Sequence, residues 1–266
     1  MIKILQVLLL LLLSACGSLS PVKEPTEEDM NQQALKAYEE VKKTSPLSTD
    51  KEMIKIVERV SQRIARASGE NFQWEVILID KNEVNAWCMP GGKMAVYTGI
   101  LPVLKNEAAL AAVMGHEVSH ATLRHGKERY VRAMKNEILS QVIGGAVVLG
   151  GQSLCKTEKC KLLTALGGVA TGFALAFFDR KFSREDETSA DFEGQKLMAK
   201  AGYDPREAPN LWDRMREANG GKSGPEWLST HPSDERRKEN LNQWMKEAEK
   251  IYQSSTVKYG LGVSLK

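Results

Sequence analysis

The sequence predicts an α+β fold that is mostly helical, with a small β-sheet and one helix that is buried on every side. Apolar residues recur at every third or fourth position over residues 51–67, which is the stripe of a helix that packs on a core. Residues 74–80 and 94–98 are rich in β-forming side chains, and a Pro-Gly-Gly turn lies between them. Residues 108–115 are apolar around the whole helical circumference, so this segment should lie inside the protein.

The remaining elements follow from the same periodicities. Two or three strands would make up the sheet, and the C-terminal residues 254–266 alternate between apolar and polar, so this tail could add a strand or hang free. Further helices are predicted over residues 28–43, 101–124, 184–201 and 234–252.

The composition is that of a globular domain and excludes several classes of protein. Hydrophobic residues make up 42% of the 266 residues and charged residues 27%, which is enough for one substantial core. The formal net charge is only +3, from 37 basic and 34 acidic residues, and no long basic stripe is present, so we expect no nucleic-acid partner. Four cysteines in this length do not make a disulfide scaffold.

Residues 1–15 predict a lipoprotein signal peptide. A lysine is followed by an apolar run over residues 4–13, which is shorter than the roughly 20 residues of a membrane-spanning helix. The Leu-Ser-Ala-Cys sequence that ends at Cys16 resembles a bacterial lipobox, so Cys16 would carry the lipid. Gly17 follows it, which favours an outer-membrane location facing the periplasm. The alternative is a signal peptide cut nearby, with Cys16 incidental.

We expect one main domain that is attached to the membrane through an N-terminal tether. Residues 16–46 would form a lipid-anchored tether and a first helix, because their polar, proline-punctuated start cannot bury enough apolar area to order itself. Residues 47–253 would form the main domain, and residues 254–266 the tail. The chain would therefore meet the membrane through its lipid anchor.

Two apolar segments, residues 138–154 and 162–178, flank Cys155 and Cys160. We expect a helical hairpin that covers the core or lies on lipid, with membrane insertion as the alternative because each segment is at the low edge for spanning. An oxidising compartment would allow a Cys155–Cys160 disulfide, and two unpaired surface cysteines are the alternative. Cys88 would then be left over as a small buried residue.

The sequence His116-Glu117-Val118-Ser119-His120 predicts a metal site. Residues four apart on a helix differ by only about 40° in direction, so His116 and His120 can bind one zinc ion. Glu117 lies one position along, where it can take a proton from a water molecule. The alternative is a pair of core histidines that hydrogen-bond to carbonyls, with Glu117 at the surface.

A second helix offers the third ligand that a catalytic zinc site needs. Glu187 and Asp191 lie four apart, so Glu187 can complete a His-His-Glu site while Asp191 accepts the free ring proton of a ligand histidine. Glu185 and Glu193 are the reserve ligands. The alternative is a solvated acidic helix start.

Together these stretches resemble one enzyme family. The matching sequences are Asn85 to Gly92, His116 to Ala121, Arg124 to Gly126, Glu187 with Ala190 and Asp191, and Thr230 to Ser233 with Arg237. In order and spacing, from about residue 50 to residue 245, they are similar to the HtpX and prenyl-protein-protease family of zinc metallopeptidases. The resemblance implies a zincin-like domain with one Zn²⁺ per chain and a zinc endopeptidase activity in which Glu117 is the general base.

The resemblance also implies how substrate binds. Residues 94–98 would be an edge strand that pairs with an extended chain, with Asn85, Gly92, Met94 and Val96 as substrate-binding residues. Unfolded or misfolded cell-envelope proteins would be the substrates. A different class of function is also open: a chaperone-like lipoprotein whose zinc is structural and whose edge strand binds unfolded chains.

His231 matches a His-Pro sequence of the family, and the resemblance gives it two roles. Its ring would either donate a hydrogen bond to the oxyanion that forms on the substrate or occupy the open metal position and hold the enzyme latent. Arg237, on the following helix, would brace the His231 loop or a neighbouring carboxylate. The alternative is a surface histidine.

Overall fold

The computed structural model describes residues 24–144, 181–218, 231 and 235–265. Several expectations concern other parts of the chain: the signal peptide, the lipidated Cys16, the Cys155–Cys160 bridge and most of the apolar hairpin all lie outside the described residues. Within the described ranges, no helix is long and apolar enough to cross a membrane.

The described chain is mostly helical and contains one small sheet, which confirms the predicted fold class. The helices are α1 (Glu27–Thr44), α2 (Lys51–Ser68), α3 (Leu101–Leu104), α4 (Glu107–Thr122), α5 (His125–Gly144), α6 (Arg184–Lys200), α7 (Glu207–Ala218), α8 (Glu235–Gln243) and α9 (Met245–Ser254). The strands are β1 (Glu75–Ile79), β2 (Ala86–Met89) and β3 (Lys93–Tyr97).

The three strands are arranged in the order β1-β3-β2. A short 3-10 turn, Pro90–Gly92, joins β2 to β3 as an antiparallel hairpin, and Gly91 and Gly92 supply the positive φ angles of this turn. β3 also pairs in parallel with β1 along its full length. The central strand of the sheet is therefore β3.

The expected edge position of residues 94–98 was therefore wrong. Both backbone edges of β3 are used by the sheet, and the side chains of Met94 and Val96 are fully buried. A Cβ on Gly92 would lie 2.6 Å from the ring of Trp74, and the carbonyl of Asn85 accepts a hydrogen bond from Tyr97 N–H. Both edges of β3 are therefore closed to a substrate strand, and a substrate-binding role for Asn85 and Gly92 stays a prediction.

Helices cover both faces of the sheet. One face carries the side chains of Trp87 and Ala95 and packs against α1, whose Tyr38 is fully buried. The other face of the sheet belongs to the main core. Helix α2 contributes its predicted apolar stripe to this core, and α4 contributes its buried apolar residues. The first predicted helix is thus packed on the sheet through its buried residues, which are Met30, Ala34, Ala37 and Tyr38.

Two of the predicted helices are divided. The segment 101–124 breaks at Lys105, which adopts a left-handed φ of 67°, and α4 then begins at Asn106, whose side chain accepts a hydrogen bond from Ala109 N–H. The segment 234–252 breaks at Trp244, between α8 and α9. From Glu107 to Ala121 every residue of α4 is buried, as its apolar circumference predicts.

The C-terminal tail neither joins the sheet nor hangs free. It runs past the first turn of α4, where the carbonyls of Val263 and Leu261 accept hydrogen bonds from the N–H groups of Glu107 and Ala108. The side chain of Leu265 is buried. The tail therefore satisfies backbone donors that a helix start leaves without an intrahelical partner.

The closest helix contact in the fold is between α4 and α6. A Cβ added to Gly115 would lie 2.6 Å from the carbonyl oxygen of Gly194, and one added to Gly194 would lie 2.7 Å from the backbone nitrogen of His116. Only glycine fits at either position, so the two backbones touch. This contact places the histidines of α4 directly opposite the acidic residues of α6.

Candidate metal centre

His116 and His120 lie one turn apart on α4 and aim their rings at the same point. The distance between their Nε2 atoms is 3.0 Å, and both side chains are buried. The two rings meet edge to face, with centroids 4.6 Å apart. The structure therefore brings these two nitrogens together as the four-residue spacing predicts.

Glu187 and His231 complete a cluster of four possible metal ligands. His231 Nδ1 lies 2.9 Å from Glu187 Oε1 and 3.2 Å from His116 Nε2. Glu187 Oε1 also lies 3.5 Å from His120 Nε2. One atom from each of these four buried residues lies within 4.8 Å of the others.

The spacing of these atoms fits a tetrahedral metal. Zinc binds imidazole nitrogen and carboxylate oxygen at about 2.0–2.1 Å, so the ligand atoms of a tetrahedral site lie about 3.3 Å apart. The contacts around His116, His120, Glu187 and His231 range from 2.9 to 3.5 Å. Three imidazoles and one carboxylate are also a donor set that zinc accepts, so the residues present fit the expected ion.

A buried arginine neutralises the two acidic residues of α6. Arg237 donates to both carboxylate oxygens of Asp191, at 2.6 Å each, and its Nη1 lies 2.5 Å from Glu187 Oε2. Glu187 therefore turns one oxygen to the arginine and the other to the histidines. The guanidinium also lies 3.9 Å from the ring centroid of Trp212, which holds it from the other side.

Asp191 is placed as predicted, behind His116. Its Oδ1 lies 2.9 Å from His116 Nδ1, on the side of the ring that faces away from the cluster. A carboxylate in this position fixes the proton on Nδ1 and leaves Nε2 free to bind a metal.

The pKa values of the protein groups follow from burial and from these neighbours. Burial raises the pKa of Glu187, but its interactions with the neighbouring His231 and Arg237 outweigh burial and hold the pKa well below its usual range. Burial lowers the pKa of His116, but hydrogen bonds to Asp191 and Glu187 outweigh it and raise the pKa to about 9. Burial dominates at His120 and holds its pKa well below 6.5. Glu187 is therefore an anion, and His120 a neutral ring, at neutral pH.

Glu117 is buried beside the cluster. Only 2% of Glu117 is exposed, and its Oε1 lies 3.5 Å from His231 Nε2. Because it is one position along α4 from His116, its carboxylate lies next to the four ligand-capable atoms without being among them. The reserve ligands lie elsewhere: Glu185 is exposed, and Glu193 pairs with Lys196.

The sequence interpretation gave no role to two residues that contact the cluster. His125 Nδ1 lies 2.9 Å from His120 Nδ1, and Phe182 stacks on the ring of His120 with centroids 3.8 Å apart. The chain has only four histidines, and all four lie in this one cluster. Because the chain has so few histidines, the proximity of His125 to His120 in the sequence could have suggested that His125 belongs to the site.

Comparison with known proteins agrees with this site. The family model of peptidase family M48 matches residues 47–245. The chain belongs to peptidase family M48. This confirms the family resemblance inferred from the motifs.

Several curated relatives match the same region. The mitochondrial metalloendopeptidase OMA1 of Schizosaccharomyces pombe is 37% identical over 197 residues, which are 73% of this chain and 53% of that protein. OMA1 of Arabidopsis thaliana is also 37% identical, over 69% of this chain and 34% of its own length. The beta-barrel assembly-enhancing protease of Escherichia coli is 28% identical, over 73% of this chain and 39% of its own. The chain thus spans about half, or less, of these relatives.

The expected location was wrong. The sequence predicted an outer-membrane lipoprotein facing the periplasm, but the two relatives at 37% identity are mitochondrial by name. A short apolar run before a cysteine is a pattern of the sequence alone and does not specify a compartment.

The buried arginine gives a direct stability test. Replacing Arg237 by Met leaves Asp191 and Glu187 without their counter-charge in the interior, so the free energy of unfolding should fall by about 3–5 kcal/mol. The matched control is Lys238→Met, because Lys238 pairs with Asp213 where both side chains are at least a third exposed and should contribute at most about 1 kcal/mol. Denaturant unfolding of both variants measures the difference, and equal effects would contradict the ion cluster.

Proposed function

We propose that the chain is a zinc-dependent endopeptidase in which Glu117 is the general base and general acid. His116, His120 and Glu187 would hold the ion, which when bound supplies a Lewis acid that activates water and polarises a carbonyl. Glu117 would take the proton of the attacking water on its carboxylate and then give it to the leaving amine of the cleaved peptide bond. Asp191 and Arg237 would keep the ligands oriented.

The observation that carries this proposal is the position of Glu117. A structural zinc site needs ligands and no base, yet here an acidic side chain is buried beside the ligand group without belonging to it. A carboxylate beside the ligand group would be placed to take a proton from a water molecule bound there, which supports a chemical role.

The second candidate is the chaperone-like lipoprotein with a structural zinc. One observation favours it: four protein atoms, including His231 Nδ1, converge on the candidate metal position, and four protein ligands are typical of closed structural sites. The two candidates differ in whether Glu117 and His231 affect peptide hydrolysis.

The position of His231 supports the second of its two proposed roles. Its Nδ1 lies among the possible ligands, 2.9 Å from Glu187 Oε1 and 3.2 Å from His116 Nε2. We therefore propose that His231 occupies the fourth ligand position in the latent enzyme and leaves it when substrate binds.

The outer edge of β2 is the better candidate for substrate pairing now that β3 is central. Asn85 is hydrogen-bonded to Tyr97, and since bonded pairs alternate along an antiparallel ladder, Ala86 and Cys88 direct their N–H and C=O groups away from β3. No other described strand pairs with this edge of β2, but Ala86 and Cys88 are buried, so a substrate chain would have to displace the groups that cover the edge. Cys88 also lines the same cavity as His120, so an extended chain along this edge would run past the candidate metal centre.

Backbone pairing along β2 would give affinity with little demand on sequence. We therefore propose misfolded or damaged proteins with extended segments as substrates, and the cell-envelope proteins expected from the sequence are part of this proposal. The E. coli relative is named for β-barrel assembly, which supports membrane-associated client proteins. Attachment through a lipid on Cys16 stays a prediction.

Glu117→Gln tests the catalytic proposal. The variant should retain about one zinc per chain and its fold but lose casein digestion by about 10²–10⁴-fold, because it removes the proton carrier and no ligand. Glu193→Gln, on the outer side of α6, is the matched control and should keep full activity. Proteolysis that survives in Glu117→Gln would move the chemistry to other residues, whereas wild-type protein that holds zinc and digests no casein would favour the chaperone-like candidate.

Backbone pairing along β2 is tested with N-methylated peptides. In a peptide that the enzyme cleaves, methylating alternate amides away from the scissile bond should raise KM by about fivefold for each hydrogen bond lost, at about 1 kcal/mol per bond. Methylating the intervening amides should have little effect, since these point away from the strand. The same KM for both patterns would argue against strand pairing.

His231→Ala distinguishes the two roles of that residue. If His231 holds the fourth ligand position, basal hydrolysis of a short peptide should rise, because the position is left open. If it donates to the oxyanion, turnover should fall by about a hundredfold. We expect the rise, and an unchanged rate with both peptide and casein would eliminate both roles.

A further inference from the structure

The fourth histidine of the chain is buried behind a candidate metal ligand. His125 is only 6% exposed, and its Nδ1 lies 2.9 Å from Nδ1 of His120. The other ring nitrogen of His120, Nε2, faces the cluster, 3.0 Å from His116 and 3.5 Å from Glu187. The ring of His120 therefore lies between the candidate metal position and His125.

If His120 binds a metal through Nε2, the donors and acceptors from His120 through His125 to Ser189 can be assigned in only one way. A histidine that binds a metal through Nε2 carries its proton on Nδ1, and a buried N–H needs an acceptor. The atom that faces His120 Nδ1 is His125 Nδ1, which accepts only when the proton of His125 is on Nε2. That Nε2 lies 3.3 Å from Ser189 Oγ and 4.0 Å from a carboxylate oxygen of Asp186.

Ser189 can accept at this distance. Its hydroxyl donates to main-chain carbonyl oxygens, at 2.9 Å from Glu185 and 3.0 Å from Asp186, which leaves a lone pair of Oγ for His125. His120 Nδ1–H thus donates to His125 Nδ1, and His125 Nε2–H donates to Ser189 Oγ, so every ring N–H in this series has an acceptor.

The backbone places His125 by a tight turn. Arg124 adopts a left-handed φ of 65°, which is uncommon for a residue other than glycine, and it reverses the chain between α4 and α5. Phe182 lies flat on the other side of the His120 ring, with an angle of 22° between the two planes. The ring of His120 is therefore held on its face by Phe182 and at its Nδ1 edge by His125.

We propose that His125 is a positioning residue that fixes the proton and the ring orientation of His120 for metal binding. This inference rests on the metal site of the proposed function. The two histidine ligands would then be supported differently, His116 by the carboxylate of Asp191 and His120 by a neutral imidazole.

Two substitutions in the full chain separate this role from packing. His125→Phe keeps a ring and removes the acceptor, and it should weaken zinc binding by about 10–100-fold. His125→Asn places its amide oxygen where Nδ1 stands and should restore most of the affinity. The dissociation constant is measured by competition with a chromophoric chelator, and the unfolding temperature of the metal-free variants reports their packing.

Each outcome decides between the two proposals. Equal weakening in His125→Phe and His125→Asn, or none in either, would overturn the role of His125 while the zinc site stands. Wild-type protein that binds no zinc would overturn the proposed function and this inference together.

The imidazole signals give a second readout. Only four histidines contribute, so ¹⁵N spectra of the zinc-loaded protein should contain one protected Nδ1–H whose nitrogen couples through the hydrogen bond to Nδ1 of His125. The coupling should vanish in His125→Phe. A proton found on Nε2 of His120 in the zinc-loaded wild type would overturn the proposal.

Discussion

The contact between the backbones of α4 and α6 sets the geometry on which the site depends. At Gly115 and Gly194 there is no room for a methyl group on either helix, so the two backbones are in direct contact. His116, next to Gly115 on α4, then faces residues one and two turns before Gly194 on α6, across a few ångströms. His116 meets Asp191 and Glu187 because this contact fixes both the distance and the rotation of the helices.

A second constraint is the balance of charge in the interior. Four imidazoles, several carboxylates and the guanidinium groups of Arg129 and Arg237 are buried around the site, and each unpaired charge there would be costly. Arg237 divides its donors between Asp191 and Glu187, and this leaves one oxygen of Glu187 and the Nε2 atoms of two histidines facing a common point. The same ion pairs that stabilise the fold thus preorganise the site.

The sequence predicted those parts of the site that depend on helical periodicity. His116 and His120, and likewise Glu187 and Asp191, are spaced by one turn, and the structure places each pair on one face and the two pairs together. The apolar stripe of α2 and the buried circumference of α4 were predictable for the same reason.

The parts that the sequence did not predict depend on contacts distant in the chain. The hairpin explains why β2 pairs with one edge of β3. The other edge pairs in parallel with β1, which is more distant in the sequence, and this pairing makes β3 the central strand. The tail meets the start of α4 through backbone hydrogen bonds, which residue patterns do not specify. His125 reaches His120 through the left-handed turn at Arg124, which residue patterns do not specify either.

X-ray absorption spectroscopy at the zinc edge of the purified full chain tests whether His116, His120, Glu187 and His231 hold one zinc ion. We expect about one zinc per chain with four nitrogen or oxygen ligands at about 2.0–2.1 Å and the outer-shell scattering of several imidazoles. A sulfur ligand at about 2.3 Å, or protein isolated without chelators that carries no zinc, would contradict it.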